Sequence, residues 1–300
     1  ALTPAGTTAD GVVHAGRFTP LGAFAALGRT TIADLLPHWA RNLDWLRSAL
    51  TGPRAARVDP AGSWAQGRVR LLPPVSPRQI FQVALNYADH AAEMALPIPQ
   101  QPFVFAGLPS AMCGPHDDIV LPLTGQHDWE LELGVVIRRR ARHVGRAEAA
   151  DCIAGYTIVN DLTTRDRLRR PETGRTDYLA AKNAPSFLPT GPFLVPADEV
   201  ADVTALPLTL SVNGQVMQQG STADMVFDVP GLIATLSGQV ELLPGDLLLT
   251  GTPAGTGHAH GRYLQPGDVL EASIGDLGQQ RNRCVAEAAP RSRGSRPDEP

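Results

Sequence analysis

A chain of 300 residues, 43% hydrophobic and 19% charged, is long enough for one large domain or two modest ones. A net charge of -4 and a pI of about 6.1 argue against nucleic acid and anionic membrane as partners, and no apolar run is long enough to span a bilayer. Cys113, Cys152 and Cys284 lack zinc-ligand or thioredoxin spacing, no charged-then-apolar leader opens the sequence, and a reducing cytoplasm is the expected setting.

Glycine (29) and proline (27) separate short β-rich runs, so a mainly β core with many tight turns is expected. The first thirty or so residues are weakly patterned, with Gly11-Val12-Val13-His14 read as an edge strand. From Ile32 the pattern changes: Ile32, Leu35, Leu36, Trp39, Leu43, Leu46 and Leu50 recur at steps of three and four, one face of an amphipathic helix. Thr30 or Thr31 can cap it, and Gly52-Pro53 ends it. A linker from Pro53 to Gly67 follows, so residues 1–70 are expected to form a small accessory domain.

Strands at Val69–Leu72 and Ile80–Ala84 open the main domain. Next, Asn86 is placed to cap a helix that carries Asp89 at its third position, with His90 and Glu93 on one face. A carboxylate beside an imidazole fixes its tautomer and raises its basicity. The bland alternative is a surface pair worth about 0.3 kcal/mol. Pro97, Pro99 and Pro102 give the following loop the chemistry of a lid. Phe103–Phe105 and Ile119–Leu121 read as further strands.

In Asp128-Trp129-Glu130-Leu131-Glu132-Leu133-Gly134-Val135-Val136-Ile137, strand alternation puts Glu130 and Glu132 on one face. Two adjacent carboxylates are either solvated at a sheet edge or gathered around a hard cation. Arg138 to Arg146 reads as a solvated basic loop, because no aromatic residues are interleaved. Gly155–Asp161 is a strand that ends in a carboxylate, and Thr163-Thr164-Arg165-Asp166 opens a polar turn or short helix. Lys182 stands alone among small residues, as a site residue or an ordinary surface lysine. Asn213-Gly214 marks a hairpin turn. A helix is expected over Met225 to Leu236, with Val229, Leu232, Ile233 and Leu236 on one face. The small residues of Gly251-Thr252-Pro253-Ala254-Gly255 leave backbone N–H groups open to an anion, or simply form a connecting loop. A disordered tail is expected over 289–300.

Four of these stretches together resemble the fumarylacetoacetate hydrolase family: Asn86–Glu93, Asp128–Ile137, Asn160–Asp166 and Gly251–Gly255, in the family's order, with the Asn213-Gly214 and Pro244-Gly245-Asp246 turns between them. The match runs from about Leu72 to Ala288, and the Trp-bearing N-terminal helix is similar to the accessory segment of many bacterial members. The resemblance implies an α+β, predominantly β protein: a mixed β-roll catalytic domain over 71–288 with a small N-terminal α/β accessory domain. It implies a homodimer and a divalent metal held by Glu130, Glu132 and Asp161, commonly Mg²⁺, with Mn²⁺ or Ca²⁺ as alternatives. His90 and Glu93 would sit on a lid, Lys182 would match the family's active-site lysine, and Arg165, Gly251 and Thr252 would line the substrate site. Two departures bear on specificity. Gly107 stands where many members carry a second lysine, and Asn183-Ala184-Pro185-Ser186 replaces the usual Ser-Phe-Asp-Thr.

The chemistry expected is metal-dependent hydrolysis of a C–C bond in a 2,4-dioxo acid of the acylpyruvate or fumarylacetoacetate kind, through a metal-bound enolate, in the setting of aromatic catabolism. His90 would take a proton from water, oriented by Glu93. Lys182 and N–H groups near Thr252 would meet developing negative charge. The same intermediate would serve an oxaloacetate-type decarboxylase or a 2-hydroxymuconate-type isomerase or hydratase. A non-catalytic metal-binding protein is the third reading. The expected partner is a small oxo acid, not nucleic acid or membrane.

Overall fold

A computed structural model of the chain describes residues 2–4, 11–14, 17–21, 31–50 and 69–288. The expected cap at Thr30, the stop at Gly52-Pro53, the linker from Pro53 to Gly67 and the tail over 289–300 fall outside these residues.

Two mixed sheets build the main body. One has six strands, in the order Val195–Pro196, Ile153–Asn160, Leu131–Ile137, Leu247–Leu249, Ile80–Ala84, Phe103–Gly107. Neighbours are antiparallel except Leu247–Leu249 and Ile80–Ala84, which run parallel. The other has five strands, in the order Gln215–Ser221, Pro207–Val212, Val269–Ile274, Gln279–Ala286, Ile119–Leu121, the last pair parallel. The two sheets share one apolar cluster. Leu131, Leu133, Val135 and Ile137 enter it from the first, and Leu208, Leu210, Leu270 and Ile274 from the second.

Alternation then sends Glu132, Gly134 and Val136 to the opposite face of the six-stranded sheet. There the N-terminal helix covers the sheet. Leu35, Leu36, Trp39, Leu43, Leu46 and Leu50 pack with Val136, Ala154, Val159, Leu247 and Leu249. The Trp39 indole N–H donates to the Ala154 carbonyl at 2.6 Å, which anchors the stripe. Thr31 caps the segment in a reciprocal box with Asp34. The helix is not continuous. It runs as Ile32–Leu35, a tight turn at Leu36–His38 and Trp39–Leu50, because Pro37 has no N–H to continue the ladder. Among the described residues no helix is long and apolar enough to cross a membrane.

Several expected elements form as read. Gly11–His14 pairs with Arg17–Pro20, and Asn213 and Gly214 both take positive φ (53° and 79°) in the turn between Pro207–Val212 and Gln215–Ser221. Two expectations are corrected. Asn86 does not cap the Ala88–Glu93 helix, whose N-cap is Tyr87. Its amide is buried instead. It donates to the Thr250 and Phe227 carbonyls and accepts from the Phe227 N–H, tying the helix entry to two distant loops. The later helix is Val229–Gln239, not Met225 to Leu236, because Asp228 caps it through the Gly231 N–H and Pro230 fits its first turn. Lys182 ends a short helix, Tyr178–Lys182, capped by Asp177.

Candidate active site

The helix-covered face of the six-stranded sheet is apolar under Trp39 and turns acidic towards one end. Glu130 and Glu132 lie at the start of the central Leu131–Ile137 strand, and Asp161 follows the neighbouring Ile153–Asn160 strand. The Asp161 N–H donates to the Glu130 carbonyl at 2.8 Å, so the antiparallel pairing itself brings the carboxylates together. One oxygen from each of Glu130, Glu132 and Asp161 lies within 4.8 Å of the others, and all three residues are buried. Solvated acids at a sheet edge are therefore excluded.

Two cations are built into the cluster. Lys182 Nζ donates to Glu130 Oε2 at 2.6 Å and to Asp161 Oδ2 at 2.5 Å. Arg165 Nε donates to Asp128 Oδ2 at 2.7 Å, while its Nη2 lies 2.7 Å from Glu130 Oε1, at ion-pair distance but off the line of a hydrogen bond. Burial opposes charge on Glu130, but Lys182 and Arg165 prevail and hold its carboxyl down to about 2. Among the described residues Glu132 has no cation at ion-pair distance and accepts only the Gly251 N–H, at 2.6 Å; burial together with the Asp161 carboxylate outweighs the more distant Lys182 ammonium and pushes it well above the carboxylate range. Burial, reinforced by Glu130 and only partly offset by Lys182, pushes Asp161 up to about 6. Burial also works against charge on Lys182, yet Asp161, Glu130 and Glu132 outweigh it and raise the ammonium above its usual value.

A divalent cation fits this donor set. When ionised, Asp128, Glu130, Glu132 and Asp161 bring four negative charges against the two positive charges of Arg165 and Lys182, a deficit of two. The deficit falls on Glu132 and Asp161, the two acids that burial drives towards protonation. Three carboxylates are ligands for a hard, oxygen-preferring ion.

Facing the cluster is the Ala88–Glu93 helix. His90 Nδ1 lies 2.7 Å from Glu93 Oε1. Glu93 also accepts the Gly255 N–H at 2.9 Å and the Thr256 hydroxyl at 3.1 Å. Burial works against its charge, but these bonds win and lower its pKa. An ionised carboxylate can only accept, so Nδ1 donates and Nε2 is left as the basic nitrogen. His90, Glu130, Glu132, Arg165, Lys182 and Thr252 line one cavity of about 90 Å³.

The Gly251–Gly255 loop differs from the expected open anion cradle. Three of its N–H groups are taken by the protein's own carboxylates: Gly251 by Glu132, Ala254 by Asp89, Gly255 by Glu93. Gly251 is thus placed behind a metal-type ligand. Thr252 does line the cavity, but its hydroxyl donates to the Leu131 carbonyl at 2.8 Å and accepts from Gln218.

Four contributors escaped the sequence reading. Gln82 is buried, and its Nε2 donates to Asp161 Oδ1 at 2.5 Å. Asp128 accepts from Arg165 and from the Gly257 and His258 N–H groups. Asn160 Oδ1 accepts the Glu130 N–H, and Gln218 bridges Leu131 to Thr252 and Pro253. Only Asp128 and Asn160 carried a signal, as members of the quoted motifs. Gly107 also gains a physical meaning. A Cβ there would meet Gln82 Oε1 at 2.7 Å, so the bare backbone is what lets the Gln82 amide lie against Asp161.

A buried carboxylate centre at the end of a mixed sheet, faced by a His–Glu pair on a short helix, defines a β-roll with a metal-type active site. Residues 79–285 match the family described as Fumarylacetoacetate (FAA) hydrolase C-terminal. Over 209 residues the chain is 44% identical to the 2,4-didehydro-3-deoxy-L-rhamnonate hydrolase of Sphingomonas sp. (strain SKA58), covering 68% of this chain and 72% of that one. Over 278 residues it is 39% identical to the mitochondrial oxaloacetate tautomerase FAHD2A of Bos taurus, covering 91% and 85%. Among solved structures it is similar to maleylpyruvate hydrolase from Sphingobium sp. SYK-6 in complex with manganese(II) ion and pyruvate, with a TM-score of 0.76 and 29% identity, covering 93% of this chain and 96% of that one. The chain belongs to the fumarylacetoacetate hydrolase family. These relatives are enzymes, hydrolases and a tautomerase by name.

Proposed function

We propose that the protein is a divalent-metal-dependent hydrolase that cleaves the C3–C4 bond of a 2,4-dioxo acid of the acylpyruvate type. The observation that carries this reading is the meeting of an oriented histidine base and a three-carboxylate centre in one cavity. The Sphingomonas relative, a hydrolase by name, supports it. A Mg²⁺ or Mn²⁺ ion held by Glu130, Glu132 and Asp161 would supply Lewis acidity towards the 2-oxo-acid end of the substrate.

The remaining work falls to side chains. His90 Nε2 accepts a proton from water as that water attacks the C4 carbonyl. Glu93 holds Nδ1–H and stabilises the imidazolium that forms, while Gly255 and Thr256 hold Glu93. Lys182 and Arg165 set fixed positive charge beside the negative charge that develops. The C3–C4 bond then breaks, and the proton on His90 returns to C3. Water has been added across the bond: OH to the acyl carbon, H to the 2-oxo acid.

The test is a screen of the Mg²⁺- and Mn²⁺-loaded protein against acylpyruvates, with release of the 2-oxo acid as readout. His90→Ala is expected to lower kcat by about 100-fold or more while calorimetry still shows Mg²⁺ binding. Glu130→Ala is expected to abolish that binding. A second reading is supported by the long match to the oxaloacetate tautomerase: the same base and metal centre serve keto–enol exchange without water. Turnover that leaves the carbon skeleton intact would select it over hydrolysis.

A further inference from the structure

The cavity wall divides sharply by chemistry. Its ionisable groups are His90, Glu130, Glu132, Arg165 and Lys182, and the two cations among them, Arg165 and Lys182, are already held at ion-pair distance by protein carboxylates. The rest is neutral. Leu85, Met94, Leu96, Phe105, Leu168 and Tyr178 form most of it. Phe105 stacks on Tyr178 at 3.8 Å between ring centroids, which makes that side a firm aromatic surface. Gly107, beneath Gln82, adds no charge to it.

The charge balance limits what can enter. A divalent cation cancels the deficit of two left by Asp128, Glu130, Glu132 and Asp161 against Arg165 and Lys182. One substrate carboxylate then leaves these groups with a single net negative charge, to which the Glu93 carboxylate behind His90 adds. A second carboxylate would lose its hydration against the apolar wall, and among the residues lining the cavity no Arg or Lys is left unpaired to meet it. Hydroxyl, methyl or alkyl groups carry no such cost, and the Tyr178 phenol is a neutral polar group beside them.

We propose that this site selects 2-oxo acids whose far end is uncharged and discriminates against those with a second carboxylate there. The proposal rests on the reading of the carboxylate centre as the place where the 2-oxo-acid end binds. It is tested with two probes of equal length, 2-oxopentanoate and 2-oxoglutarate, which differ only in a terminal methyl or carboxylate. Each is titrated calorimetrically into the Mg²⁺-loaded protein. 2-Oxopentanoate is expected to bind at least about tenfold more tightly. Leu96→Arg, at a position 47% exposed and therefore tolerant of charge, and Leu168→Arg add a cation to the neutral wall. At least one of them is expected to raise 2-oxoglutarate affinity by about threefold or more with 2-oxopentanoate little changed.

If 2-oxoglutarate binds the wild-type protein as tightly as 2-oxopentanoate, the selectivity is overturned while the proposed function stands. An unchanged ratio in both arginine variants also overturns it, because the neutral wall then does not face the far end. If Mg²⁺ binds and neither acid does, the function proposed for the centre fails, and the selectivity falls with it.

Discussion

Gln82 sets the direction of Asp161. Its Nε2 takes Oδ1, while Lys182 takes Oδ2, so the carboxylate is clamped from both sides before any ion arrives. Partners that orient a ligand typically matter about 10- to 100-fold in metal affinity. Gln82→Leu is therefore expected to weaken Mg²⁺ binding about tenfold by calorimetry. Gly107→Ala is expected to act in the same direction through displacement of the Gln82 amide, because its Cβ would meet Gln82 Oε1 at 2.7 Å. Gly107→Lys is then expected to disturb the carboxylate centre as well as to change the charge of the pocket. Unaltered Mg²⁺ affinity in Gly107→Ala would show that Gln82 relaxes freely and that Gly107 has no part in orienting Asp161. At this scale legibility follows pattern. Glu130 and Glu132 announced themselves by alternation, His90 and Glu93 by their spacing, and Lys182 by standing alone. A single glutamine inside Ile80–Ala84 carries no pattern, and its partner lies 79 residues further on.

The element that joins the two halves of the site is the loop from Gly251 to Gly257. It gives one N–H to Glu132 on the central strand, others to Asp89 and Glu93 on the facing helix, and its Thr256 hydroxyl to Glu93. The carboxylate centre and the His90–Glu93 pair are thereby referenced to one backbone segment. The sequence showed that these N–H groups were free of side-chain bulk. What it could not show was that acids from the central strand and the facing helix would take them, because the partners are remote in the chain. Asp89 illustrates the difference. It was read as a helix-start acid, and it does accept the His90 N–H, but its other oxygen reaches the Ala254 N–H at 3.2 Å. A hydrogen bond to a charged group is worth about 1.5–3 kcal/mol. Asp89→Ala is expected to lower kcat by about tenfold through a less firmly held His90, with Mg²⁺ affinity unchanged. Loss of metal affinity in step with kcat would place the role of Asp89 in the loop and not in the helix.

Across the whole molecule the same sheet face serves stability and chemistry. The Trp39 stripe was legible as packing, yet its target was not, since Val136, Ala154 and Leu247 lie far along the chain and come together only in the sheet. Beyond that apolar region the face ends in buried acids, and their charge ties folding to pH and metal. Asp161 has an ordinary value of 3.8 and is pushed up to about 6 in the folded protein, and Glu132 moves in the same direction. Between those values the metal-free folded state keeps a proton that the unfolded chain has released. Stability from this group is therefore full below the ordinary value and is lost as pH rises through about 6. Metal binding runs the other way, because the ligands must be deprotonated. The Mg²⁺-dependent gain in Tm, measured against a chelator control, is accordingly expected to be small at pH 5 and larger at pH 7.5. At a Mg²⁺ concentration 100 times Kd the stabilisation approaches about 2.7 kcal/mol. Lys182→Met sharpens the experiment. Removal of the ammonium leaves Glu130 and Asp161 without their shared partner, so the metal-free protein should lose Tm at neutral pH and recover part of it on acidification. A gain from Mg²⁺ that is independent of pH, or larger at pH 5, would show that ion binding does not compete with protons on Glu132 and Asp161.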